Sequence, residues 1–102
     1  MKHFLTLRDL SEKEILDLIK FSLRIKKYPR LYSKKMFGKT LLMIFEKPSL
    51  RTRISLEVAM NQMGGNAINY DLSTSPLAKV KENIEDTSKV ISRYCDLIAA
   101  RV

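Results

Sequence analysis

The chain has no tryptophan, one histidine and one cysteine among its 102 residues, and these shortages close off several classes of function. A solitary Cys95 excludes a disulfide framework and fits a reducing cytosol; it reads as a small buried apolar residue rather than a reactive thiol. His3 has no second histidine and no nearby cysteine with which to complete a metal site. No apolar run approaches the ~20 residues of a membrane span, and the N-terminus lacks the apolar core of a signal peptide. There is no internal repeat and no low-complexity segment. The expectation is a soluble, cytoplasmic chain of one domain at most, large enough for a modest core.

The net charge of +8 is unevenly distributed. Residues 1–53 carry fourteen Lys and Arg against five Asp and Glu, whereas residues 54–102 carry five against six. Such an imbalance suits a nucleic-acid face or the capture of a small phosphorylated anion. Aromatic residues of the stacking kind are sparse. Tyr28 and Tyr32 sit near basic residues but in no order that reads RNA, so no nucleic-acid partner is expected.

The chain divides cleanly into elements. Ser11-Glu12-Lys13-Glu14 is a capping box opening a helix that runs to about Lys27, where Pro29 ends it. Ile15, Leu18, Ile19, Ser22 and Leu23 form its apolar face. Its polar face mixes acids with bases, which argues against a membrane-surface role. Residues 30–40 form a basic connector closed by Gly38. Leu41-Leu42-Met43-Ile44-Phe45 is an unbroken apolar run, as suits a strand covered on both faces of a parallel sheet. A helix follows: Ile54, Val58 and Met63, with Ala59 and Met60 beside them, recur at roughly helical spacing up to Gly64-Gly65, which stops it. Residues 66–71 read as a second strand, 72–78 as a loop at its carboxyl end, 82–94 as a third helix and 96–101 as a third apolar strand. This alternation predicts an α/β fold, a parallel sheet of three to four strands with flanking helices.

Chemistry concentrates where the first strand meets its helix, at Phe45-Glu46-Lys47-Pro48-Ser49-Leu50-Arg51-Thr52-Arg53. A helix N-terminus offers unpaired backbone N–H groups and a partial positive charge. Ser49 and Thr52 add hydroxyl donors, and the arginines add planar forks that fit phosphate oxygens two at a time. The residues therefore read either as a phosphate pocket at the carboxyl end of a parallel strand, or as a capped helix whose arginines are merely solvated.

This stretch resembles the Ser-Thr-Arg-Thr-Arg signature of the transcarbamylases. Its Phe-Glu-Lys lead is more similar to ornithine carbamoyltransferases than to aspartate enzymes. His3-Phe4-Leu5, Asp9-Leu10-Ser11, Gly38-Lys39-Thr40, Gly64-Gly65, Asp86-Thr87 and Ala100-Arg101-Val102 extend the likeness over nearly the whole chain. The resemblance implies a carbamoyl-phosphate-binding domain over residues 1–102, without metal or organic cofactor. Ser49, Leu50, Arg51 and Thr52 would hold the phosphate, Leu50 through its backbone N–H. Arg101 would be the catalytic contact to the carbonyl and phosphate region, and Arg53 would be structural. The partners implied are carbamoyl phosphate, ornithine only together with a second domain, and other subunits of a homotrimer; no nucleic acid and no membrane are implied.

Three departures from the family pattern qualify that reading. Leu50 replaces a threonine and removes one hydroxyl. Leu77-Ala78-Lys79-Val80-Lys81 does not match the loop a neighbouring subunit contributes, although either lysine could substitute. The family's His-Pro-x-Gln element and ornithine-binding domain have no counterpart, so the chain is expected to be one part of a carbamoyltransferase, inactive alone and prone to self-association through exposed apolar surface. The alternatives are a non-catalytic anion-binding or assembly module, or part of another carbamoyltransferase such as the aspartate enzyme.

Overall fold

The structure is a computed structural model that describes residues 3–46, 49–71 and 84–101. Its chain falls into two compact units, Met1–Tyr32 and Ser33–Val102.

The first unit is built on helix α1, Glu12–Lys27. The expected capping box is present: Ser11 Oγ accepts the Glu14 N–H at 3.1 Å, and the Ser11 N–H donates to Glu14 Oε1 at 3.1 Å. Two orphan donors of the first turn are thereby satisfied. A short 3-10 turn, Pro29–Tyr32, follows immediately and folds Tyr32 edge-on against Phe21, with ring centroids 5.6 Å apart. Tyr32 is buried, and Lys27 lies over the Tyr28 ring at 5.4 Å. Of the apolar face expected from periodicity, Ile15 is half-buried, whereas Leu18, Ile19 and Leu23 are about half exposed or more.

Among the described residues, the second unit is a three-stranded parallel sheet. Strands β1 (Thr40–Phe45), β2 (Asn66–Asp71) and β3 (Leu97–Arg101) stand in the order β2-β1-β3. Helix α2 (Leu50–Gln62) joins β1 to β2, and helix α3 (Ile84–Tyr94) precedes β3. The α/β class and the parallel arrangement match the expectation. The central place of β1 explains its composition: Leu41, Leu42, Met43 and Phe45 are buried, with Met43 wholly inaccessible. Side chains alternate along a strand, so residues of both faces are covered here. Leu41, Met43 and Phe45 pack with Met60 of α2, and Met36, Leu56, Ala67 and Ala99 close around them.

Apolar spacing and apolar composition do not by themselves decide burial here. In α2, Ile54 and Val58 recur at helical spacing but are 49% and 43% exposed. The helix instead faces the sheet through Leu56 and Met60, with Thr52, Ala59 and Met63 half-buried on the same side. Apolar residues lie on both sides of this helix, so a 3.6-residue period does not select one face. Likewise β3 is apolar without being buried. It is a sheet edge at which only Ala99 is half-covered, and Leu97 and Ile98 are exposed. Cys95, expected to be buried, is half-buried between α3 and β3.

Helix α2 stops as the diglycine predicts. Gly64 N–H donates to the Asn61 carbonyl and Gly65 N–H to the Met60 carbonyl, the paired bonds of a Schellman ending. Gly64 has φ +84°, a conformation that disfavours any side chain. Gly65 is required for space: a Cβ there would lie 2.8 Å from the Met36 carbonyl oxygen and 3.0 Å from that of Lys39.

At their amino ends the strands are tied by polar side chains. Thr40 N–H donates to Asp96 Oδ2 at 2.9 Å, and Asp96 N–H donates to the Thr40 carbonyl at 3.0 Å. Thr40 Oγ1 donates to Asn66 Oδ1 on β2 at 2.9 Å.

Candidate anion site at the carboxyl edge of the sheet

Parallel strands deliver their carboxyl ends to one edge of the sheet, the edge at which open α/β folds hold ligands. Phe45 ends β1, Arg101 ends β3, and the two are partners across the ladder. One further bond extends the pairing: Glu46 N–H donates to the Arg101 carbonyl at 3.1 Å. The backbone of Arg101 is therefore held against the start of the turn that leads into α2.

Ser49 is the N-cap of α2, with extended backbone (φ −139°, ψ 92°). Its hydroxyl, however, makes no capping bond to the helix. It accepts a hydrogen bond from Arg101 Nη1 at 3.0 Å. The first intrahelical bond runs from Arg53 N–H to the Ser49 carbonyl, so the N–H groups of Leu50, Arg51 and Thr52 stand ahead of the helical ladder. Uncapped donors, the positive end of the helix dipole and a guanidinium converge on one turn. That combination favours a compact anion.

The expected residues separate into groups. Ser49 and Arg101 are brought into contact. Thr52 is half-buried in the first turn of α2, and Arg51 is exposed beside it. Leu50 is 71% exposed, so its side chain does not fill the turn and its N–H stays available. Arg53 lies along the helix, its Nε 3.9 Å from Glu57 Oε2, an (i, i+4) pair that serves the helix. Among the described residues no carboxylate pairs with Arg51 or Arg101. Lys47 and Pro48, the expected loop at 72–78, and Lys79 and Lys81 lie outside the described residues.

Sequence reading missed the Glu46 amide, because a backbone donor leaves no trace in composition. No trio of His, Cys, Asp or Glu able to hold a metal occurs among the described residues, nor any helix long and apolar enough to cross a membrane.

The family pattern of the aspartate/ornithine carbamoyltransferase carbamoyl-P binding domain matches residues 2–102. The chain belongs to this family. As a carbamoyltransferase domain it is similar to the ornithine carbamoyltransferase of Shewanella oneidensis, with 40% identity over 101 residues, 99% of this chain and 33% of that relative. Its structure resembles the anabolic ornithine carbamoyltransferase from Campylobacter jejuni (TM-score 0.88, 43% identity, 100% of this chain and 33% of that one). It also resembles the catalytic subunit of aspartate transcarbamoylase from M. jannaschii (TM-score 0.84, 36% identity, 99% of this chain and 34% of that one). The chain spans about a third of the length of these relatives.

Proposed function

We propose that the chain binds carbamoyl phosphate at the turn Ser49–Thr52 with Arg101, and forms the carbamoyl-phosphate half of an ornithine carbamoyltransferase. The observation that carries this reading is the Arg101–Ser49 hydrogen bond, which places a guanidinium at an uncapped helix N-terminus.

The chemistry assigns roles. An amine attacks the carbonyl carbon of carbamoyl phosphate, the carbon–oxygen bond to phosphate breaks, and phosphate departs with the electron pair. The backbone N–H groups of Leu50, Arg51 and Thr52, with the Ser49 and Thr52 hydroxyls and the Arg51 fork, hold the phosphate and accept its growing charge. Arg101 spans the phosphate and the carbonyl oxygen, stabilising negative charge as the amine adds. Fixing the mixed anhydride in this way removes much of the orientational entropy of the encounter. Ornithine as the amine is supported by the Phe45-Glu46-Lys47 sequence and by the names of the relatives. The acceptor would be held by a second domain, and the overall reaction gives L-citrulline and phosphate in the cytoplasm.

Titration with carbamoyl phosphate or a phosphonoacetyl analogue, followed by calorimetry and ³¹P NMR, tests the pocket. Saturable binding that R101A weakens at least tenfold is expected; absence of binding at millimolar ligand would refute it. Supplying an ornithine-binding half in trans tests the reaction through citrulline formation.

A second reading, an assembly module, is favoured by one observation. Leu50, Ile54 and Val58 recur at four-residue spacing on the outer side of α2, all exposed. Such a stripe suits docking with another copy of the chain, as in a homotrimer.

A further inference from the structure

We propose that Asp96 is a positioning residue for Arg101, acting through the register of β3 against β1 from the opposite end of the strand; this rests on the reading of Arg101 as the phosphate ligand. The two lie five positions apart, about 16 Å of extended chain, so Asp96 does not touch the anion site.

Strand β3 is otherwise weakly specified. Register is set strongly where one face of a strand is buried, and weakly where it is not. Strand β3 has five residues at a sheet edge, and only Ala99 contributes to the core. Backbone bonding to β1 alone would satisfy a slipped pairing nearly as well. A slip of one residue turns Arg101 to the other face, and a slip of two displaces it by about 6.6 Å, far outside the 3.0 Å contact with Ser49.

Asp96 removes that degeneracy. Its N–H and its carboxylate engage the carbonyl and the N–H of one residue, Thr40. No slipped register preserves both bonds. Thr40 is in turn fixed to Asn66 by its hydroxyl, so the lock spans all three strands. The nearby Lys39 Nζ, 3.9 Å from Asp96 Oδ1, is an exposed ion pair and adds little. The acceptor geometry of Asp96, rather than its charge, is what matters.

The test uses the full chain. Backbone NOEs pairing Leu42 with Ile98 report register, and calorimetric titration with carbamoyl phosphate reports the site. Asp96→Ala is expected to displace or lose those NOEs and to weaken binding at least tenfold. Asp96→Asn, which keeps an acceptor for the Thr40 N–H, is expected to retain the NOEs and bind within threefold of the parent. In the R101A background Asp96→Ala should add no further loss. Native NOEs with unchanged affinity in Asp96→Ala overturn the proposal, as do losses that simply multiply with R101A, or an Asp96→Asn variant as weak as Asp96→Ala. If Asp96→Ala does not fold, Asp96→Glu, whose acceptor is displaced by one methylene, carries the same expectations as Asp96→Ala. If R101A binds as the parent does, the phosphate reading of Arg101 falls, and the NOEs alone then decide for or against Asp96.

Discussion

The Arg101 guanidinium donates through Nη1 to Ser49 Oγ at 3.0 Å, although the two residues lie 52 positions apart. The bond diverts a good N-cap residue from its ordinary task. A serine that caps contributes about 1 kcal/mol to its helix, and this one does not cap. Local rules are broken in this way chiefly where a site requires it.

The diversion separates stability from binding. Ser49→Ala is expected to change the unfolding free energy by less than about 0.5 kcal/mol, since no capping bond is lost. The same variant should weaken carbamoyl phosphate binding by about threefold to tenfold, the worth of one hydrogen bond. Urea unfolding and calorimetric titration of the same preparation measure both. A loss of stability near 1 kcal/mol without a change in affinity would show the hydroxyl to be only a cap.

Arg101 should be the more costly loss. A hydrogen-bonded charge contributes about 1.5–3 kcal/mol, so Arg101→Ala is expected to weaken binding about tenfold to a hundredfold. Arg101→Lys should recover little, because an ammonium lacks the planar fork that can bridge phosphate and carbonyl oxygens. The ³¹P chemical-shift titration distinguishes the three proteins.

Leu50 predicts a gain. Its side chain is exposed and leaves the turn unobstructed. Leu50→Thr supplies a hydroxyl beside an existing N–H, for about 1 kcal/mol or a fivefold gain in affinity. An unchanged affinity would place the phosphate away from position 50.

How much of this was legible in the sequence depends on whether neighbours along the chain sufficed. The capping box at Ser11 and Glu14, the apolar strand Leu41–Phe45 and the diglycine stop are local signals, and each is realised as expected. The orientation of α2 was not legible, because Leu50, Ile54 and Val58 form as good a stripe as Thr52, Leu56 and Met60. Only the sheet decides between them. The meeting of Ser49 with Arg101 requires β3 to lie beside β1, a pairing that periodicity does not encode; family resemblance, rather than the residues themselves, pointed to Arg101. The exposure of β3 follows from its place at the edge, which its apolar composition does not reveal.

The diglycine makes a graded prediction about stability. Gly64→Ala forces a Cβ into a left-handed conformation, at a cost of about 1–2 kcal/mol. Gly65→Ala should be worse. Its Cβ would meet two backbone carbonyls, of Met36 and Lys39, as well as the Met60 terminal methyl at 2.7 Å. The methyl can move aside, but the carbonyls belong to the connector that leads into β1. Urea midpoints should therefore fall in the order parent, Gly64→Ala, Gly65→Ala.

The outer stripe of α2 predicts self-association. Leu50, Ile54 and Val58 stay exposed while Leu56 and Met60 occupy the core, so the helix has apolar surface on two sides. Burying one large aliphatic side chain completely is worth about 1.5–3 kcal/mol, so covering the exposed parts of three on each of two copies favours association. The parent chain should therefore elute and scatter as an oligomer. Val58→Glu should shift it towards monomer without loss of helical circular dichroism, because position 58 does not face the sheet. Val58 also lies more than two helical turns from Ser49, about 13 Å along the axis, so the variant should keep its intrinsic affinity for carbamoyl phosphate if one copy supplies the whole pocket. Binding lost in step with the oligomer would instead show that a neighbouring copy completes the site. A parent chain that remains monomeric at high concentration in light scattering would exclude the stripe as a docking surface.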